Sequence, residues 1–294
     1  MTSLDTASPL RYPGGKSKIS PFLVDIILLN NLEGCKMYEM YAGGAGASLN
    51  LLYSGLVSEI VINDYDKHIY YFWKSIIDQT EEFLRLVNDT TISLEEWHVQ
   101  KNIYKNYTEH SLLEVGFSTF FLNRCNRSGI LYKAGPIGGK NQTGNYKMDV
   151  RFNKVNLSNR IKKIANFGSK IFASSKKTID LLPQILSKKE HNFIFLDPPY
   201  YNQGENLYLN FYNHGNHEAL RNLLKKSNNS KWFLTYDNTE QINELYAEFR
   251  KADLPMSYTL QAKRKSKEVM VFADAIQIPK NLRTKKQLSP IKLR

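Results

Sequence analysis

Phe193-Ile194-Phe195-Leu196-Asp197-Pro198-Pro199-Tyr200 decides the fold class of this chain. Four consecutive apolar residues without alternation read as a strand buried on both faces, as strands of parallel sheets are. The tetrapeptide behind it then sits at the carboxyl end of that strand, where open α/β sheets place their ligands. Two prolines stiffen the loop and remove backbone donors from it. A plainer reading makes Asp-Pro-Pro-Tyr a rigid turn whose aspartate caps the next segment. The buried strand in front of it favours the functional reading.

Upstream, Met37 to Ala42 is a short apolar and aromatic run, followed by Gly43, Gly44 and Gly46 and a helix-like Ala47 to Tyr53. Glu59 to Asn63 reads as a β-branched strand ending in Asp64, and Lys67 to Ile77 has helical spacing of apolar residues. A βαβα order predicts a parallel sheet wrapped by helices. The alternation lapses from about Thr80 to Phe167, with helical patches such as Leu112 to Leu122 and a Gly-, Asn- and Lys-rich loop from Lys133 to Met148. Strands resume at Lys170 to Ala173, Phe193 to Leu196, Trp232 to Tyr236, Met256 to Leu260 and Val269 to Phe272. Helices at Glu218 to Lys226 and Thr239 to Phe249 lie between some of them. The polar link Gln261 to Glu268 predicts a closing antiparallel hairpin. Residues 1–79 and 169–278 therefore form one unit, 80–168 an insertion, and 279–294 a mobile basic tail.

Forty Lys and Arg against 28 Asp and Glu, a formal charge of +12, favour a polyanionic partner. Cys35 and Cys125 are far apart and in no ligand spacing, so neither a disulfide scaffold nor a zinc site is expected, and a reducing cytoplasm fits. The N-terminus lacks a signal-peptide pattern, and no apolar run reaches the ~18 to 20 residues that span a bilayer. A soluble protein with no membrane role is expected.

Asp197 and a neighbouring carbonyl are the acceptor pair that can hold both N–H groups of an exocyclic aromatic amine and turn its lone pair outward. Group transfer to that nitrogen then needs alignment and stabilisation of developing charge. Tyr200 can stack on an extruded base, with Tyr201 beside it. Tyr41-Ala42-Gly43-Gly44-Ala45-Gly46 is a glycine turn between strand and helix, and Asp64 ends the next strand about 20 residues on, where an acid can take ribose hydroxyls. Turn and acid together suggest a nucleoside ligand; a helix-packing turn with an acidic cap is the alternative. Gly15-Lys16-Ser17 is tested as a phosphate loop and fails, because Leu10 stands where its first glycine belongs. In the insertion, Asn123, Arg124, Arg127, Ser128, Lys133, Lys140, Lys147 and Arg151, with Tyr132 and Tyr146, combine base-reading and phosphate-binding side chains, as a solvated loop also does. His214, His217 and Glu218 have ligand spacing, but a helix start explains them, and no metal is expected.

Taken in order, Tyr12-Pro13-Gly14-Gly15-Lys16, Glu39-Met40-Tyr41-Ala42-Gly43-Gly44, Ile62-Asn63-Asp64, Asn123-Arg124 and Asp197-Pro198-Pro199-Tyr200 resemble the Dam-like, α-group family of DNA adenine-N6 methyltransferases. The resemblance implies an α/β fold, a Rossmann-like S-adenosylmethionine-dependent methyltransferase sheet with an inserted, mostly helical target-recognition domain at 80–168. It implies methylation of adenine N6 in double-stranded DNA by base flipping, in a DNA-associated cytoplasmic protein of bacterial or phage origin. It leaves room for a cognate restriction endonuclease acting independently. It implies that Asp197, Pro198 and Tyr200 are catalytic, and that Tyr12, Gly14, Lys16, Glu39, Tyr41, Gly43, Gly44, Asp64, Ser175 and Asp197 bind S-adenosyl-L-methionine. DNA is expected at Asn123, Arg124, Arg127, Ser128, Lys133 and Lys140. Met40 and Ala45 replace a common Pro and Gly, and Arg127-Ser128-Gly129 replaces the Tyr-Asn-Gly of GATC readers, so GATC is not inferred. Two rivals remain: an enzyme acting on an amine of RNA or of a glutamine side chain, against which Asp197 argues because Asn often stands there; and an inactive DNA-binding relative, against which intact Asp64, Asp197 and Tyr200 argue.

Overall fold

Parallel strands β1 (Lys36–Met40), β2 (Glu59–Asn63), β3 (Ile171–Ser174), β4 (Asn192–Leu196) and β5 (Trp232–Asp237) are closed by antiparallel β6 (Arg250–Pro255) and β7 (Lys267–Phe272), in the order β3-β2-β1-β4-β5-β7-β6. The computed structural model describes residues 7–12, 14–188, 191–201, 212–227, 229–255, 267–284, 288–291 and 293. Every residue of β4 and of β5 is buried, which is why their sequences lack alternation. Phe195 of β4 stacks on Phe233 of β5, and Phe22 meets Phe233 edge-on at 5.8 Å from α1 (Ser20–Leu29). This mixed α/β architecture, with its mostly parallel seven-stranded sheet, is consistent with a methyltransferase fold.

Register aligns the ends of the strands. Met40 pairs with Leu196 and with Asn63, Leu196 pairs with Leu234, and Asn63 pairs with Ser174. The residues one step further, Tyr41, Asp64, Asp197 and Thr235, therefore share one edge of the sheet. Chain connections diverge between β1 and β4, so a crevice opens there, the usual ligand position of an open α/β sheet.

Two helices cross near that edge, α2 (Gly46–Tyr53) and α3 (Lys67–Asp78), the second started by Asp66, whose side chain accepts from the His68 N–H. Within residues 80–168 lie α4 (Thr80–Asp89), α5 (Leu94–Lys105), α6 (Leu112–Cys125) and α7 (Lys154–Ala165), with loop and two short 3-10 turns from 126 to 153. Ser111 and Glu114 form a capping box that fixes the start of α6. A Cβ on Gly116 would lie 2.7 Å from the Tyr71 carbonyl, so α6 lies directly against α3. Phe72 of α3 stacks on Phe120 of α6, and Phe83 and Phe152 meet Phe120 edge-on, so these helices share one apolar core with the sheet layer.

The remaining helices are α8 (Thr178–Leu186), α9 (His214–Lys226) and α10 (Glu240–Leu245). The expected helix Thr239 to Phe249 is cut short because the chain leaves it to pair Arg250 with Phe272. The hairpin is antiparallel as expected, but its first strand is Arg250–Pro255; the expected strand Met256 to Leu260 lies outside the described residues. Arg250, Lys251 and Asp253 hide this strand from sequence patterning, and on its outer side Ala252 makes a single antiparallel bridge with Leu293.

The expected mobile tail is a correction. Asn281–Arg283 (β8) pairs antiparallel with Leu288–Pro290 (β9), Leu282 is buried, and Arg283 is ion-paired to Asp25 of α1. Two of its apolar residues and one charge find partners on the body of the protein, which a count of lysines does not reveal. Among the described residues, no helix is long and apolar enough to cross a membrane.

Candidate active site

A cavity of about 930 Å³ opens at the shared edge of β1, β2 and β4. Its lining joins parts of the chain that are remote in sequence, among them the loop before α1, the ends of the central strands, the segment 80–168, the start of α8 and the start of α9. That volume suits a nucleoside-sized ligand.

Asp197 leaves β4 at the floor. Its Oδ1 accepts from Thr235 Oγ1 at 2.7 Å, and its Oδ2 accepts from Lys16 Nζ at 2.7 Å. Lys16 is 3% exposed, standing at the start of the short turn Lys16–Ile19. Its ammonium also donates to the Gly14 carbonyl (3.0 Å) and to the Tyr200 hydroxyl (3.2 Å), and lies 3.5 Å from Glu268 Oε1. The Tyr200 hydroxyl in turn donates to Glu268. Burial raises the Glu268 carboxyl well above its usual range, an effect that Asp197 reinforces and Lys16 opposes. Glu268 was not singled out by sequence, because it pairs with Asp237 on the antiparallel strand and only the closing hairpin brings it under the site.

Tyr200 itself is 7% exposed and does not line the cavity, whereas Pro199, Tyr41 and Tyr212 do. In this state its ring is held inward by Lys16 and Glu268, so the stacking role expected of it requires the ring to turn out. The rings of Tyr41 and Tyr212 meet edge-on and their hydroxyls are 2.7 Å apart. Tyr201 packs on His214 and His217 away from the cavity. His217 is fully buried against the Tyr236 hydroxyl, and burial lowers its imidazole to about 4. Among the described residues, no group of His, Cys, Asp and Glu is arranged to hold a metal.

The other end of the cavity is built by the glycine turn. Tyr41, Gly43 and Ala45 have φ of 61°, 47° and 46°, left-handed values that cost a non-glycine residue roughly 1–3 kcal/mol each. Asp64 compensates from below: Oδ2 accepts from the Gly43 N–H (2.8 Å) and Oδ1 from the Asp66 N–H (3.0 Å). Trp73 of α3 donates its indole N–H to the Gly43 carbonyl. A Cβ on Gly43 would lie 2.6 Å from the Tyr12 ring, so the glycine lets Tyr12 close over the turn. Burial raises the Asp64 carboxyl to about 7, opposed by its two backbone N–H partners. Glu39, buried at the end of β1, accepts from the Ser48 N–H in the first turn of α2, and burial raises it also to about 7.

Tyr12, Gly14, Lys16, Glu39, Tyr41, Gly44, Asp64 and Asp197 thus line one cavity, while Gly43 supports it from outside. Ser175 does not line it; its hydroxyl accepts from Lys67. Buried Asn63 clamps Lys176 through both amide atoms, and that clamp sends Lys177, Thr178 and Ile179 into the cavity instead. Asn123 is fully buried: it accepts from the Arg11 N–H and donates to the Arg11 and Gly129 carbonyls. Its amide ties the segment before Tyr12 to α6 and faces no groove. Arg124 and Ser128 line the cavity, whereas Arg127, Lys133 and Lys140 are exposed outside it. Of the polar link expected from Gln261 to Glu268, residues 261–266 lie outside the described residues.

Compared with known families, the chain matches the model of the D12 class N6 adenine-specific DNA methyltransferase over residues 12–260. No curated protein matches it.

Proposed function

We propose that this chain, which belongs to the D12 class of N6 adenine-specific DNA methyltransferases, binds S-adenosylmethionine in the glycine-turn half of the cavity and receives an extruded adenine of duplex DNA at Asp197. The observation that carries this reading is the placement of Asp197 and Asp64 on one cavity at the carboxyl ends of β4 and β2, the two parallel strands that flank β1. Residues 80–168 supply the target-recognition side, and their arginines reach the same cavity.

The residues present fit the cofactor. A half-buried carboxyl just past the end of β2, already holding two N–H groups, has lone pairs for hydroxyls. The Gly43–Gly44 turn allows close backbone approach. Carboxyls at Glu39 and Asp197 suit a cationic ligand. Tyr12, Gly14, Tyr41, Gly44 and Asp64 would hold it, and it would supply an electrophilic methyl carbon.

The protein's own part is positioning. Asp197 and the Pro198 carbonyl accept the two N–H groups of the adenine amine, which aligns its lone pair. The incoming amine replaces Lys16 at Oδ2, while Thr235 keeps Oδ1 in place. As the N–C bond forms and the C–S bond breaks, with its electron pair leaving on a neutral thioether, nitrogen becomes positive and the carboxylate stabilises it more than it stabilised the neutral amine; the surplus amine proton is then released to solvent. Extrusion costs unstacking energy, and base contacts at the cavity offset part of it.

Incubation of duplex DNA with tritiated S-adenosylmethionine should yield N6-methyladenine; label in cytosine, or in RNA alone, would reject the substrate. Asp197→Ala should abolish transfer while the protein keeps its fold, and near-normal turnover would remove Asp197 from this role.

A further inference from the structure

Four arginines from four separate places in the chain line the same cavity: Arg11 before the Tyr12 loop, Arg124 in the last turn of α6, Arg151 in the turn Met148–Arg151, and Arg160 in α7. Three of them are anchored by main-chain carbonyls. Arg11 donates to the Asn126 carbonyl (3.3 Å), Arg124 to those of Arg151 (2.7 Å) and Pro9 (3.3 Å), and Arg160 to that of Ser8 (3.0 Å). Carbonyls orient a guanidinium without neutralising it. Among the described residues, no carboxylate is ion-paired to Arg11, Arg124 or Arg151. Burial, followed by the charges of Arg11, Arg160 and Arg151, pushes the Arg124 guanidinium down to about 9, and burial and Arg151 lower that of Arg11. Like charges gathered as those of Arg11, Arg124 and Arg151 are, two of them half-buried, are unfavourable until an anion joins them.

We infer that Arg11, Arg124 and Arg151 form a single site for a phosphodiester group of the DNA strand whose adenine enters the cavity. The inference rests on the adenine reading of Asp197 and adds the anchor of the strand. A base that reaches Asp197 keeps its sugar and phosphates behind it, and the arginines line the same opening. Guanidiniums are forked donors matched to phosphate oxygens, and Arg11 and Arg124 each retain donors beyond those on carbonyls. The site also has a consequence for assembly. Arg124 and Arg160 hold Ser8 and Pro9, and Asn123 holds Arg11, so the phosphate site is joined to the segment that delivers Tyr12 and Lys16.

Arg151 is the residue to test, because it is exposed and its bond from Arg124 runs to its main-chain oxygen, so Arg151→Gln preserves the fold. Duplex affinity would be measured against salt for the wild type and R151Q, a binding assay that needs no turnover. The slope of log affinity on log salt should become shallower by about 0.9, with equal loss on specific and unrelated duplexes and unchanged S-adenosylmethionine affinity. An unchanged slope overturns the site even if adenine methylation is confirmed, and a changed slope supports it even if the methylated atom proves different. Methylphosphonates placed one at a time near the target adenine should find a position that removes the difference between wild type and R151Q. If no position does so, and inorganic phosphate alone protects the wild type against heat but not R151Q, the site takes free phosphate and the strand assignment falls.

Discussion

Asp64→Asn separates the two jobs given to that carboxyl. Oδ2 and Oδ1 accept from the N–H groups of Gly43 and Asp66 at 2.8 and 3.0 Å. Asparagine keeps one acceptor and turns the other toward a backbone donor as an NH2, so one N–H loses its partner, which costs about 1–3 kcal/mol of stability. A ligand hydroxyl bonded to the carboxylate loses a charge-assisted bond, about 1.5–3 kcal/mol, or roughly 10- to 150-fold in cofactor affinity. The wild-type carboxyl is raised to about 7 by burial, so at lower pH it holds a proton that cofactor binding must expel. For this one group, affinity should fall about tenfold from pH 8 to pH 6. Glu39, also at about 7 and on the same cavity, adds to that slope in wild type and variant alike. Isothermal titration in two buffers of different ionisation enthalpy counts the protons released, and Asp64→Asn should release fewer. Affinity within twofold of wild type, with the same pH slope, would refute both the hydroxyl contact and the burial argument.

Stability should carry the same signature. Glu39 and Asp64 are both raised to about 7, and Glu268 is raised too, so each favours the fold at pH below its unfolded value and loses that contribution as pH climbs through its folded one. Without cofactor, the melting temperature should drop between pH 5 and pH 8, and a rise over that window would count against these three sites. Gly43→Ala places a Cβ 2.6 Å from the Tyr12 ring at a φ of +47°; thermal-shift titration should show cofactor binding weakened at least tenfold, and wild-type affinity would show that Tyr12 is not held there. Asn123→Ala leaves the Arg11 N–H and two carbonyls without their partner and should lower unfolding stability by about 2–4 kcal/mol in urea, with the methylated sequence unchanged. A shift in sequence preference at full stability would make Asn123 a base reader after all.

Legibility differed by element. β4 and β5 were readable because total burial leaves them dominated by apolar and aromatic residues without alternation, and Asp197 was readable because it follows the unbroken apolar run of β4. β6 was not, because an edge strand is chosen by its partner and this one is rich in charge. Asn123 and Arg124 adjoin in sequence and look alike to composition, yet one is a buried staple and the other lines the cavity. Helix geometry separates them: adjacent positions lie about 100° apart around an axis, and only packing decides which faces inward.

From residue order alone came the α/β class, the strand-turn-helix at Gly43, the acid at Asp64 and the loop at Asp197, since each is a local pattern of burial or backbone freedom. Tertiary structure decided what those residues do to one another. Lys16 meets Asp197 across 181 positions of chain, Glu268 reaches Tyr200 from an antiparallel strand, and four scattered arginines line one opening. Such encounters are set by sheet register and helix packing, which depend on the whole core, so no window of sequence contains them.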